Sequence, residues 1–267
     1  MGRGRRRRRT WNNGAWCAWH WTTTSARPTA TLLLTNPTPG SAVSYFLDGA
    51  LTDNVPVPSS GGITITGLNS PGPHTLTVYT RNSRQDDRWR GLNSYTVTGL
   101  TLDDGATPTP APPLRPWVLI VGDSITEGIQ ADDGADNSLR DCAFLVGQGL
   151  NAAGFDYAAS ACGYSGWLRP GDAQGDVPAA QILVLVPSGL ADARVYPNGP
   201  AYIAALKAGF TAYHAASPTD RRTVLVDLGP DVALASPAYG GGVHPHAAGH
   251  AYLAPLVLQA LLRRLRP

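Results

Sequence analysis

The chain has 267 residues, of which 43% are hydrophobic and only 15% charged, and it contains 30 glycines and 23 prolines. This composition excludes a disordered protein, which combines low hydrophobicity with high charge, and the glycines lack the three-residue period of collagen. Six arginines lie in the first nine residues, and removing their charge takes the formal net charge from +2 to −4. The body of the chain therefore gives no electrostatic reason to expect a nucleic-acid partner.

The N-terminal segment, residues 1–29, is predicted to be a basic, disordered tail. A signal peptide would follow the arginine run with an apolar segment, but Asn12, Asn13 and a mixture of Trp, His and Thr follow here. A short arginine run is usually solvated. No signal peptide is recognised, and no stretch of the chain is apolar for long enough to suggest a membrane span.

Residues 30–105 are predicted to form a small β-sandwich of the jelly-roll type. Five segments rich in Thr, Val, Tyr and Ile are separated by Asn-Pro, Asp-Gly, Ser-Gly-Gly and Pro-Gly-Pro breakers. Short strands at this spacing are typical of antiparallel sandwiches. Residues 106–116 are rich in proline, which favours an extended spacer, so we expect a linker there.

Residues 117–267 change to an α/β pattern. The run WVLIVG, beginning at Trp117, is apolar throughout, as expected for a strand buried on both faces of a parallel sheet. Two further apolar runs, 182–187 and 223–229, are predicted to be strands of the same kind. Helices are predicted at three places: 138–153, with a Ser138–Asp141 capping box and a Gly154 cap, 200–217 and 250–265. Strands that alternate with helices indicate an α/β layer fold.

Ser124 is the first candidate for chemistry. It lies in the segment VGDSITEG just after the first apolar strand, and the carboxyl ends of parallel strands are where open α/β sheets place ligands. The alternative is a serine that only caps the following turn. Spacing alone does not decide between the two.

His244 is the second candidate, in the segment GGVHPHAAGH before the last predicted helix. An imidazole on such a loop can reach a serine and take its proton near neutral pH. The alternative is that His244, His246 and His250 are surface residues of the loop. A metal site built from the three is weak because no carboxylate or cysteine accompanies them, so we predict no metal and no cofactor.

A third segment, ACGYSGW, follows the second strand of this region and ends at Trp167. Gly166 could present a bare backbone N–H to an oxyanion. The segment is not the G-x-S-x-G elbow of α/β-hydrolases, because Trp167 stands where the second glycine belongs.

Together, GDSIT early in the region, GYSG in its middle and HP followed by GH near its end resemble the motifs of the SGNH (GDSL) hydrolase family. A β-sandwich ahead of such a region resembles the two-domain carbohydrate esterases that remove acetyl groups from polysaccharides. The resemblance implies a flavodoxin-like α/β domain, with export from the cell. It implies that Ser124 is the nucleophile, that Ser124 and Gly166 supply oxyanion N–H groups, and that His244 is the base. Tyr164 and Trp167 are then candidates for stacking on a sugar ring, or ordinary packing aromatics.

Two positions depart from the family pattern. The family carries an aspartate three residues before the histidine, where this chain has Gly241, so a Ser-His dyad is expected unless Asp227 or Asp231 substitutes. The family also carries an oxyanion-donating asparagine at the end of its third strand. The nearest match here is GLAD, with Ala191 at the asparagine position, and the pattern fits better if the third strand is missing near residues 175–181.

The sequence therefore predicts a serine esterase that hydrolyses acetyl or short acyl esters through a Ser124–His244 dyad. The expected partner is an acetylated polysaccharide or another small ester. Two alternatives stay open: a catalytically impaired carbohydrate-binding protein on the same scaffold, and an acyltransferase whose site excludes water.

Overall fold

The chain forms two compact units, Met1–Pro113 and Leu114–Pro267, and each is described by itself. The division falls inside the proline-rich run expected to be the linker. The structure is a computed structural model, and it describes residues 8–10, 15–35, 39–82, 95–102, 106–111, 117–122, 124–161, 181–186, 199–219, 223–227 and 244–265.

The N-terminal unit is built from nine strands in two antiparallel sheets within its described ranges. The strands are β1 (Arg8–Thr10), β2 (Trp16–Thr23), β3 (Ala30–Thr35), β4 (Ala42–Leu47), β5 (Ala50–Pro56), β6 (Gly62–Ile65), β7 (Gly72–Asn82), β8 (Tyr95–Leu102) and β9 (Thr109–Pro110). One sheet has the order β1-β8-β3-β6 and the other β5-β4-β7-β2-β9. One cluster of buried side chains joins residues of both sheets, so the unit is the small β-sandwich that the sequence predicted.

The sandwich core follows from period-two alternation along its strands. Leu32 and Leu34 of β3 are buried while Leu33 between them is exposed. Leu76 and Val78 of β7 are buried in the same cluster. Successive side chains of a strand point to opposite faces of the sheet, and each apolar residue that leaves water stabilises the fold by roughly 1.5–3 kcal/mol.

The disordered tail predicted for residues 1–29 was wrong for β2. All eight residues of β2 pair with β7, from Trp16 opposite Tyr79 to Thr23 opposite Gly72, and Trp21 is buried in the sandwich core. Tryptophans at alternate positions supply an apolar face that a sheet can bury. Within the predicted linker, Thr109 and Pro110 add an edge strand to β2. An edge is where proline is tolerated, because it has no N–H to donate.

The C-terminal unit holds a parallel sheet with helices between its strands, as predicted. The strands are β10 (Trp117–Gly122), β11 (Asp156–Ala161), β12 (Gln181–Val186) and β13 (Thr223–Asp227), and the helices are α1 (Cys142–Ala153), α2 (Gly199–Ala216) and α3 (Ala247–Leu265). All strand pairs are parallel, in the order β11-β10-β12-β13. No helix in these ranges is long and apolar enough to cross a membrane.

The sheet is one strand short of the flavodoxin-like order 2-1-3-4-5, as far as the described residues extend. Val118 and Leu119 of β10 pair directly with Gln181 and Ile182 of β12. The strand that follows β11 along the described chain therefore lies beside β10, in the place of a third strand. This agrees with the missing strand expected from the sequence.

Helix α1 begins later than predicted. Its N-cap is Asp141, whose carboxylate accepts the N–H of Phe144 at 2.6 Å, so the predicted Ser138–Asp141 capping box was wrong. An aspartate satisfies an N–H of the first turn and its charge suits that end of the helix dipole, so it caps well. Gly154 ends α1 in the left-handed conformation, with φ +98°, as predicted.

Candidate functional site

Ser124 lies just past the end of β10, at the carboxyl edge of the parallel sheet. A series of turns follows it at once, and the Ser124 carbonyl accepts the N–H of Ile129 at 3.1 Å. The Ser124 N–H donates to none of the other described residues. The strand on one side and the turns on the other fix the position of the hydroxyl.

Two glycines allow this turn to pack closely. A methyl group on Gly122 would overlap the side chain of Thr126, so the strand end and the turn can be this close only with glycine. Gly128 has φ +73°, and its carbonyl accepts the Asn137 N–H at 2.9 Å. A Cβ on Gly128 would lie 2.5 Å from the Asn137 carbonyl oxygen. The glycines that flank Ser124 are therefore required by packing.

The segment from Ser124 to Asp141, here called the nucleophile loop, is held by its own polar side chains. Asn137 donates from its amide to Asp132, and its side-chain oxygen accepts the Leu139 N–H at 3.0 Å. Asn137 and Asp141 are both buried, so these bonds are shielded from water. The loop leads directly into the first turn of α1.

His244 Nε2 lies 2.8 Å from Ser124 Oγ. The two residues are 120 positions apart in sequence, and His244 comes just before α3. Both side chains are half-buried. A hydrogen bond of this length between a serine hydroxyl and an unprotonated imidazole nitrogen is the arrangement that activates a serine as a nucleophile.

His250 lies in the first part of α3 and is 0% exposed. The surface alternative was therefore wrong for this residue, whereas His244 and His246 are half-buried. His250 Nδ1 accepts the backbone N–H of Cys142 at 2.9 Å. Burial lowers the pKa of His250 to about 4, together with the repulsion of a charge on His244 and against the opposing effect of the Pro245 carbonyl.

Two carboxylates, Glu127 and Asp141, are buried in the same unit and were not singled out from the sequence. Burial raises the pKa of Asp141 well above its ordinary value, and the charge of Glu127 raises it further, against the backbone N–H groups of Phe144 and Ala143. Asp141 could have been recognised by its spacing before the helix. Nothing in the local sequence marks Glu127 as buried.

Several predicted site residues lie outside the residues that the structure describes. These are Tyr164, Gly166 and Trp167, together with Gly241, Ala191 and Asp231. Asp227 ends β13, but its side chain is likewise not described. The structure therefore brings together the two predicted catalytic side chains. In the described ranges, no three His, Cys, Asp or Glu side chains are grouped closely enough to hold a metal ion.

The fold and this hydrogen-bonded pair define a two-unit architecture: an antiparallel sandwich followed by a parallel α/β sheet with a serine and a histidine at its edge. No protein-family model matches the chain, and no curated protein matches its sequence. Solved structures, however, match both units together.

Three of these structures are carbohydrate esterases. A family 2 enzyme with a carbohydrate-binding domain from Corynascus (Myceliophthora fergusii) has 17% identity and a TM-score of 0.64 over 96% of this chain and 95% of its own. A family 2 enzyme from Clostridium thermocellum, solved with cellohexaose, has 15% identity and a TM-score of 0.60 over 96% and 94%. An acetyl xylan esterase from Butyrivibrio proteoclasticus has 13% identity and a TM-score of 0.62 over 96% and 91%.

A salicylyl-acyltransferase from a tetracycline biosynthetic pathway is also similar, with 15% identity and a TM-score of 0.55 over 93% of this chain and 82% of its own. The chain thus has the fold of two-domain carbohydrate esterases, as its motifs indicated. At these identities the likeness concerns the fold.

Proposed function

We propose that this protein is a serine esterase that removes acetyl or short acyl groups from carbohydrate, using Ser124 and His244. The observation that carries the proposal is the 2.8 Å contact between His244 Nε2 and Ser124 Oγ. Side chains 120 positions apart meet at the edge of the sheet where α/β folds bind ligands. A serine that only capped its turn would not need this partner.

In the acylation step, Ser124 Oγ attacks the ester carbonyl carbon while His244 Nε2 takes the hydroxyl proton. This requires the tautomer of His244 with its proton on Nδ1. The tetrahedral intermediate collapses when the C–O bond to the sugar breaks, and His244 returns the proton to the leaving alkoxide oxygen. The products are a free sugar hydroxyl and an acyl group on Ser124.

In the deacylation step, water takes the place of the sugar. His244 takes a proton from the water, the resulting hydroxide attacks the acyl carbon, and His244 returns the proton to Ser124 Oγ. A carboxylic acid leaves. The Ser124 N–H, which donates to none of the other described residues, is available to the oxyanion in both steps, and we assign the second donor to Gly166.

The carbohydrate part of the proposal is supported by the similar structures, two of which are a family 2 esterase solved with cellohexaose and an acetyl xylan esterase. Tyr164 and Trp167 are proposed to stack on the sugar ring. Aromatic faces suit the apolar faces of pyranose rings, and stacked pairs contribute roughly 0.5–1.5 kcal/mol beyond area burial.

The proposal is tested with a chromogenic acetyl ester and with acetylated xylan and mannan. Ser124→Ala and His244→Gln should each lower kcat by about a thousandfold or more. His246→Gln is the matched control, because it changes the same residue type two positions away on the same loop, and it should hydrolyse at the wild-type rate. Equal rates in wild type and Ser124→Ala would contradict the proposal.

The same experiment separates the two alternatives. If wild type and Ser124→Ala are equally inactive but both bind the polysaccharide, the protein is a carbohydrate-binding protein. The salicylyl-acyltransferase on this fold favours a test for transfer as well. With an acceptor sugar present, an ester product that forms faster than free acetate would identify an acyltransferase.

A further inference from the structure

Two hydrogen bonds join the nucleophile loop to the segment that carries His244. The first is the Ser124–His244 contact of 2.8 Å, at the start of the nucleophile loop. The second is the bond of 2.9 Å from the Cys142 N–H to His250 Nδ1, immediately after the end of that loop. The catalytic pair and the buried pair thus close the same two stretches of chain, 124–142 and 244–250, into a ring.

The second bond is well shielded. His250 is completely buried, and Cys142 and Pro245 are buried with it. Because Nδ1 accepts a hydrogen bond, the proton of the neutral ring is on Nε2. Nε2 has no hydrogen bond of normal geometry among the described residues, although the Pro245 carbonyl interacts with the ring. Pro245 directly follows His244, so the ring touches both ends of the connection.

We propose that His250 is a positioning residue of the dyad: as a neutral Nε2–H imidazole, it holds the His244–Pro245 segment against the first turn of α1 and so fixes the distance between Ser124 and His244. This inference rests on the proposed function for its kinetic consequence. The geometric part does not depend on catalysis. A displacement of about 1 Å between reacting groups can lower a rate about a hundredfold.

A third contact between the two stretches does not have this character. His246 Nδ1 lies 3.5 Å from Asp133 Oδ1, and the Asp133 side chain is 87% exposed. An exposed pair at this distance contributes little to stability. His246→Gln is therefore the matched control: the same residue type, bridging the same stretches of chain, but in water.

The test compares His250→Leu with His250→Asn. Leucine has a volume similar to histidine but cannot accept the Cys142 N–H, whereas the asparagine side-chain oxygen can take the place of Nδ1. His250→Leu should lower kcat roughly 10- to 100-fold with KM within about twofold, and His250→Asn should keep kcat within about fivefold of wild type. A purely structural role predicts the opposite, because asparagine leaves a larger cavity and a variant that is still folded would keep its kcat.

NMR of the histidine ring nitrogens tests the geometry without turnover, and so separates this inference from the esterase proposal. In wild type at neutral pH, His250 should carry its proton on Nε2. The His244 ring signals should shift in His250→Leu and stay in place in His250→Asn and His246→Gln. A proton on Nδ1 of His250, or His244 signals that do not move in His250→Leu, would overturn the inference even in an active esterase. If His250→Leu does not fold, the His250 tautomer and the kcat of His250→Asn decide.

Discussion

Protonation of His250 should set the acid limit of the C-terminal unit. The pKa of this buried imidazole is lowered from 6.5 to about 4, first by burial and then by a charge on His244. The unfolded chain takes up a proton near pH 6.5, and the folded chain only near pH 4. The unfolded state therefore binds more protons between these values, and the free energy of unfolding falls as pH falls from about 6.5 to about 4.

The size of the effect follows from the same two values. Each pKa unit is worth 1.36 kcal/mol, so the folded state should lose about 3 kcal/mol relative to a chain without this group. That is a large part of the stability of an ordinary domain, which is about 5–15 kcal/mol. Asp141 acts in the opposite direction, because its pKa is raised by burial and by Glu127, so its contribution falls as pH rises above 3.8.

The assay is urea unfolding of wild type and His250→Asn at pH values between about 4 and about 7.5, followed by the helical circular dichroism signal. All helices of the described ranges lie in the C-terminal unit, so this signal reports that unit. Taking the difference between the two proteins cancels the contributions of Asp141 and Glu127, which face the site in both. A His244→Gln background should narrow the pH range, because the charge on His244 is removed.

The prediction is that wild type loses its advantage over His250→Asn as pH falls through this range. A difference in unfolding free energy that stays constant within about 0.5 kcal/mol would refute the reasoning. It would mean that His250 is protonated in the folded state as readily as in the unfolded chain. The ring would then not be buried as a neutral group.

Two further predictions concern backbone and charge. Gly128→Ala should destabilise the C-terminal unit by about 2 kcal/mol or more and lower kcat, since φ is +73° and a methyl group would meet the Asn137 carbonyl; Gly134→Ala, at φ +99° with open space around it, should cost only about 1 kcal/mol in the same urea titration. Asp48→Asn keeps a residue that tolerates φ +51° but removes the charge that faces His74 and Thr75. Burial opposes ionisation of Asp48, but these hydrogen bonds outweigh it and its pKa is lowered, so the variant should lose about 1 kcal/mol at most at neutral pH. The loss should disappear as pH falls below 3.8, as measured by tryptophan fluorescence; a pH-independent difference would contradict the role of the charge.

The sheet of the C-terminal unit could be predicted closely from the sequence. The apolar runs expected at 182–187 and 223–229 are found as β12, Gln181–Val186, and β13, Thr223–Asp227. Strands buried on both faces must be apolar without interruption, and this signal is local. The helix predicted at 200–217 likewise agrees with α2 within a residue.

The start of α3 shows what local signals cannot supply. The helix was predicted to begin at His250 but begins at Ala247, which places His250 inside the first turns. A histidine in a glycine-rich loop suggests a surface residue. Its burial depends on the Cys142 N–H, 108 positions earlier in the chain, and no local pattern reports such a partner.

The strand β2 was missed for a related reason. Its residues Trp16–Thr23 mix Trp, His and Thr directly after an arginine-rich segment, and charge favoured a solvated tail. The eight-residue pairing with β7 and the burial of Trp21 outweigh that tendency. The Ser124–His244 pair, in contrast, was predicted through the resemblance of its motifs, and the fold supplies the distance.

The most direct test of the central claim is the acylation of Ser124 itself. Wild type is mixed briefly with a chromogenic acetyl ester, quenched in acid and digested, and the modified peptide is identified by mass spectrometry. The account predicts an early burst of chromophore, acetyl on Ser124 of wild type, and neither in Ser124→Ala or His244→Gln. Steady hydrolysis that persists in Ser124→Ala, or acetyl found on a different residue, would contradict it.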